Sequence, residues 1–305
     1  MTALLVSHRF RSEHGDAFVA AARARGVALE LLALLADPEG RLADEEAARA
    51  EIAYFSSDVF PQYGKPFFSA TRKAAGLKWL HVFNAGVDHP VFASILERGV
   101  RLTTSSGTAA GPIAQTALAG MLRLDRDVAG KTLLVYGFGK IGAELARLAR
   151  LLDMRVIGVR RNAAPHAQAD EMHTPDQLHA LLPRADWLAL TCPLTAETRR
   201  VIDATALAAL PRGARLVNVA RGEVVDEPAL IDALQRGQLS GAMLDVFAEE
   251  PLSPDSPLWD LPTVIVCAHD ASISDAYDAR VNALFLDNLA RWQRGEALIN
   301  EVTAL

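Results

Sequence analysis

Short apolar runs alternate along the whole chain with longer stretches whose apolar residues recur every third or fourth position, the pattern of strands alternating with amphipathic helices. Toward the N-terminus, Leu4–Ser7, Leu29–Leu32, Ile52–Phe55 and Lys78–Phe83 read as strands. Glu13–Arg25 reads as an alanine-rich helix ended by Gly26, and Gly64–Ala75 and Pro90–Arg98 read as two further helices. This part predicts a smaller α/β domain with a mostly parallel sheet. The alternation resumes in mid-chain with strands at Thr132–Tyr136 and Val156–Val159, and between them a helix with Ile141, Leu145, Leu148, Ala149 and Leu152 on one face. Further strands are expected at Trp187–Thr191, Arg215–Val219, Gly241–Val246 and Val264–Cys267. Asp226–Arg236 reads as a helix with Asp226 as N-cap and Gly237 past its end. A last helix is expected over Asp275–Arg294, with Tyr277, Val281, Leu284, Phe285, Leu289 and Trp292 facing the core. No repeat of fixed period and no low-complexity segment interrupts this order.

Between the two mid-chain strands stands Gly137-Phe138-Gly139-Lys140-Ile141-Gly142, which completes a strand–turn–helix–strand unit over Lys131–Arg161. In such a unit the first glycine allows a tight turn, the second lets main chain approach a pyrophosphate, and the third lets the helix pack closely on the strand. The free N–H groups and partial positive charge at the helix start then favour phosphate. The spacing therefore points to dinucleotide binding by Gly137, Gly139, Lys140, Ile141 and Gly142.

Composition narrows the class without naming a chemistry. A chain of 305 residues is long enough for two domains, and half of it is hydrophobic with 22% charged. A net charge of −6 argues against a nucleic-acid surface. No apolar run is long enough to span a membrane. Met1–His8 lacks a basic segment before its apolar run, so it reads as a first strand rather than a signal peptide. Cys192 and Cys267 form no spacing pattern, and a reduced, cytoplasmic setting is expected. His166, His173 and His179 match no zinc spacing, no Walker-type sequence follows the glycine turn, and Trp259 reads as a packing anchor. No metal is expected.

Three segments place a single ionisable residue just past a strand: Arg221 in Val217–Glu227, Glu250 in Leu244–Leu252, and His269 in Val264–Ala271. In an open parallel sheet, ligands bind beyond the carboxyl ends of the strands, so all three are candidates to face the nucleotide crevice. Together with the glycine turn, the segments NVARGEVVDEPAL, LDVFAEEPL and the His269 position resemble the D-isomer-specific 2-hydroxyacid dehydrogenase family, from about Leu77 to the C-terminus. LKWLHVFNAGVDH (Leu77–His89) is similar to the family's substrate loop, and TCPLT (Thr191–Thr195) to a loop that lines the cofactor.

The resemblance implies two Rossmann-like α/β domains, 1–105 plus 275–305 for substrate and 106–274 for dinucleotide, with the active site in the cleft between them. It implies Arg221 as the substrate-binding arginine, His269 as acid/base and Glu250 as the partner of His269. It also implies main chain at Ala85 and Gly86 for the substrate carboxylate, Asp245 near the nicotinamide amide, and Cys192, Pro193 and Ala220 along the cofactor. The chemistry suits these residue types. An arginine fork holds a 2-keto acid's oxygens, and a protonated histidine donates to the carbonyl as charge develops there. A carboxylate orients the imidazole and favours its charged form.

The chain also departs from the family pattern. Ala268 stands where proline is usual, and Gln115 and Thr116 where an acidic residue and a histidine are common. Leu122–Gly130 is shorter than the usual linker, which carries much of a dimer interface in relatives, so a homodimer would be weakened. Val159-Arg160-Arg161 replaces the acidic residue that binds a ribose 2′-OH, which favours NADP(H) over NAD(H) through a 2′-phosphate clamp. The reading is a 2-keto acid reductase, with glyoxylate or hydroxypyruvate as candidate substrates. A cofactor-sensing co-repressor on the same fold is the alternative from another class, and a formate- or phosphonate-dehydrogenase-type enzyme is a third.

Overall fold

The structure is a computed structural model, and it describes residues 1–60 and 62–303. The chain divides into two compact units, Met1–Thr108 with Asp275–Leu305, and Ala109–Ser274. Each is a sheet of parallel strands flanked by helices.

In the first unit the elements run β1 (Thr2–Val6), α1 (His8–Ala24), β2 (Leu29–Ala33), α2 (Asp44–Ala47), β3 (Ile52–Phe55), α3 (Gly64–Lys73), β4 (Trp79–Val82), α4 (Pro90–Glu97) and β5 (Arg101–Thr104). The C-terminal helix Tyr277–Gln293 and the strand Glu301–Val302 complete it. Glu301–Val302 pairs antiparallel with β5 at one edge, and the other strands are parallel in the order β5-β4-β3-β1-β2. Helix α1 starts at His8 and not at Glu13, because Ser7 accepts the N–H of Phe10 at 2.8 Å and caps it directly after β1. The C-terminal helix buries Val281, Phe285, Leu286 and Leu289. Leu284, expected on that face, is only half-buried, and Leu286 takes its place in the core.

The second unit runs α5 (Ala110–Leu124), β6 (Thr132–Tyr136), α6 (Lys140–Arg150), β7 (Arg155–Val159), β8 (Glu171–His173), α7 (Leu178–Leu181), β9 (Trp187–Leu190), α8 (Ala204–Ala209), β10 (Ala214–Asn218), α9 (Glu227–Gln235), β11 (Leu239–Leu244) and β12 (Val264–Val266). Its sheet order, β12-β11-β10-β9-β6-β7-β8, reverses direction between β6 and β9. That reversal is the switch point at which open parallel sheets bind ligands. Asp226 caps α9 by accepting from Ala229, and Gly237 takes a φ of 66° past its end. The short connection after α5 is pinned by Asp125, which pairs with both Lys131 and Arg215. Trp259 is not the anchor its size suggests: it is 52% exposed, with its indole N–H on the Ser253 carbonyl, while Leu258 is the buried residue of that turn.

Among the described residues no helix is long and apolar enough to cross a membrane.

Candidate functional site

The glycine turn and the Thr191–Cys192 segment leave β6 and β9 side by side at the switch point. Gly137 has a φ of 102°, and a Cβ there would lie 2.3 Å from the Cys192 nitrogen. Only glycine satisfies both demands. A Cβ on Gly142 would meet the Gly137 carbonyl, the Thr191 hydroxyl and Val135, each at 2.8 Å, so this glycine seats α6 against the strand. Thr191 donates to that same carbonyl at 2.7 Å. Gly139 differs: a Cβ there would find nothing closer than 3.9 Å, and no side chain caps α6, whose N-cap it is. The open flank of Gly139 and the uncapped first turn of α6 fit a pyrophosphate, since the first N–H groups of a helix have no partner within it.

Phe138 anchors the turn. Its ring is buried and fills the space a Cβ on Gly158 would need, at 2.5 Å, and His166 packs on its edge at 5.1 Å between ring centres. The loop after β7 is thereby folded over the turn. The two arginines that end β7 part company. Arg160 turns back onto its own loop, donating to the Asn162 carbonyl at 2.6 Å and the Ala164 carbonyl at 3.0 Å. Arg161 is exposed, and its charge helps to lower the Glu197 carboxyl after the larger contribution of the Thr195 hydroxyl.

The other three strand ends of this unit form one assembly. At the end of β10, Asn218 accepts from the Ala220 N–H at 3.0 Å and donates to the Arg221 carbonyl at 3.1 Å, closing a turn that presents Arg221. The Arg221 guanidinium donates to the Ala220 carbonyl at 2.8 Å. Directly after it, Gly222 lies against the turn that follows β11: a Cβ there would sit 1.8 Å from the Phe247 carbonyl carbon and 2.3 Å from the Ala248 nitrogen. Glu250, in that turn, accepts from the Phe247 N–H at 3.0 Å through one oxygen and holds His269 Nδ1 at 2.8 Å with the other. His269 has a φ of 55°. Its side chain is 46% exposed and that of Glu250 37%, so a ligand can reach the pair.

Asp245 tethers a loop. It is buried, and its Oδ1 accepts the N–H groups of Asp270 at 3.1 Å and Ala271 at 3.2 Å, which fixes the loop carrying His269. Burial raises its carboxyl, with the His269 charge and these two N–H groups opposing. Asn218, Gly222, Gly158 and the tethering role of Asp245 went unmarked in the sequence. Only an asparagine at a strand end, three residues before an arginine, hinted at the first.

Ala85 and Gly86 belong to the first unit. Asn84 shapes their loop by donating to the Gly86 carbonyl at 2.5 Å, and Ala85 is exposed. Tyr277 donates to the Phe83 carbonyl at 2.7 Å from the C-terminal helix.

The family model for the NAD binding domain of D-isomer specific 2-hydroxyacid dehydrogenases matches residues 114–271, about half of the chain. The chain is similar to a glyoxylate reductase of Korarchaeum cryptofilum, 40% identical over 179 residues, which are 58% of this chain and 53% of that one. It is also similar to an (S)-sulfolactate dehydrogenase of Chromohalobacter salexigens, 38% identical over 202 residues, covering 65% of this chain and 62% of the relative. The chain thus spans a little more than half the length of these curated relatives. Among solved structures, a D-isomer specific 2-hydroxyacid dehydrogenase from Xanthobacter autotrophicus in complex with NADPH and MES superposes with a TM-score of 0.79 at 28% identity, over 99% of this chain and 97% of that one.

Proposed function

The chain belongs to the D-isomer specific 2-hydroxyacid dehydrogenase family, and from that premise we propose that it reduces a small 2-keto acid to the D-2-hydroxy acid with NADPH. The observation that carries the reading is the His269–Glu250 pair, 2.8 Å apart and reachable, in one assembly with the loop of Arg221 and in the same unit as the glycine turn. With Nδ1 held by Glu250, His269 offers Nε2 to a substrate. Nε2–H donates to the keto oxygen and gives up its proton as that oxygen becomes a hydroxyl, while Glu250 stabilises the charged ring before the transfer. Arg221 holds the substrate carboxylate through its fork of donors. The main chain at Gly139, Lys140, Ile141 and Gly142 would receive the pyrophosphate, with Cys192, Pro193 and Ala220 along the bound chain. When bound, the nicotinamide cofactor supplies the hydride that the carbonyl carbon accepts.

The test of the substrate role is Arg221→Lys. Lysine keeps the charge and loses the planar fork, so KM for the keto acid rises by about tenfold or more and kcat falls. Kinetics equal to wild type on a panel of 2-keto acids would assign Arg221 a structural role instead.

The cofactor preference rests on Arg161, the exposed cation, with Arg160 shaping the loop beneath it. A charge-assisted hydrogen bond contributes roughly 1.5–3 kcal/mol, which corresponds to a preference for NADPH over NADH of about ten- to a hundredfold in kcat/KM. NADPH in the Xanthobacter autotrophicus structure supports this choice. Arg161→Ser removes most of the preference and leaves NADH turnover near wild type. A wild-type protein that prefers NADH would overturn the reading.

A further inference from the structure

The turn that carries Glu250 is exposed from Ala248 onward, yet Glu250 must point at His269 Nδ1. Something has to hold it. Glu227, the first residue of α9, accepts the Ala248 N–H with Oε2 at 3.0 Å. Gly222, five residues before it in the same segment, lies against Phe247 and Ala248. Phe247 in turn donates its N–H to Glu250. A continuous path of contacts therefore runs from Glu227 through the Ala248 N–H to the turn, to Glu250, and to His269. We propose that Glu227 is a positioning residue for Glu250, so that the segment presenting Arg221 also sets the aim of the carboxylate behind His269. The inference rests on the roles given to His269 and Glu250 above.

A second role competes for the same side chain. An acidic residue in the first turn of a helix is stabilised by the helix dipole. The two roles separate by substitution. Glu227→Gln loses the charge but keeps an oxygen that can accept from Ala248, whereas Glu227→Ala loses both. The experiment measures kcat with NADPH and the best 2-keto acid of the panel, NADPH affinity by fluorescence, and Tm, for both variants alone and with Glu250→Gln. Glu227→Ala is expected to lower kcat by about tenfold with NADPH affinity within about twofold of wild type, and to add nothing when Glu250→Gln is already present. Glu227→Gln restores kcat to within about twofold, whatever its Tm. A wild-type kcat in Glu227→Ala, or losses that multiply in the double variant, overturns the inference while the assignment of Glu250 stands. A Glu250→Gln variant that is itself fully active overturns that assignment and this inference with it.

Discussion

Replacing His269 with alanine lowers kcat for keto-acid reduction by ~10²–10⁴-fold, the usual contribution of a positioned general acid. Binding of NADPH changes little, because the glycine turn, α6 and the Thr191–Cys192 segment follow β6 and β9, whereas His269 follows β12 at the edge of the sheet. The size follows from the geometry. His269 is held at two points, by Glu250 at 2.8 Å on the ring and by Asp245 on the N–H groups of the next two residues. Holding a residue this way brings the proton to a fixed place and not merely near it. The measurement is kcat with every accepted 2-keto acid, alongside NADPH titration by fluorescence. A kcat within a few-fold of wild type on all of them would remove His269 from the reaction.

Gly222→Ala is expected to be nearly as damaging, by a different route. A methyl group there would be placed 1.8 Å from a main-chain carbonyl carbon, so no side-chain rotation relieves the clash. Overpacking usually costs 1–3 kcal/mol and sometimes more, and here main chain must move, so about 3 kcal/mol is a reasonable expectation. For a unit of this size that corresponds to a fall in Tm of roughly 6–12 °C. Activity falls further than stability, because the two segments pushed apart are those bearing Arg221 and Glu250. Thermal unfolding and kcat/KM at a temperature where the variant remains folded check both parts. A variant with wild-type Tm and activity would mean that the two loops do not pack as described.

Much of this protein is written locally in its sequence. The turn at Gly137–Gly142 was legible because its demands fall within a few residues: a left-handed φ at one glycine, an open flank at the next, a close helix at the third. The cap of α9 by Asp226 and its end at Gly237 were legible for the same reason, since a cap and a positive φ are properties of one short stretch. The strand-end positions of Arg221, Glu250 and His269 followed from the apolar runs that precede them. Other features were decided only by the tertiary structure. Glu171–His173 and Glu301–Val302 are short, polar strands, and each exists because a neighbouring strand offers its main chain. Arg160 and Arg161 look equivalent in the sequence, but the path of the loop gives the first two carbonyls to hold and leaves the second in solvent. Glu227 finds Ala248 across 21 residues of chain, and Asp245 finds Ala271 across 26. Periodicity, capping and φ preference act over a turn or two, whereas the partner of a buried carboxylate is chosen by whichever strand the sheet brings alongside.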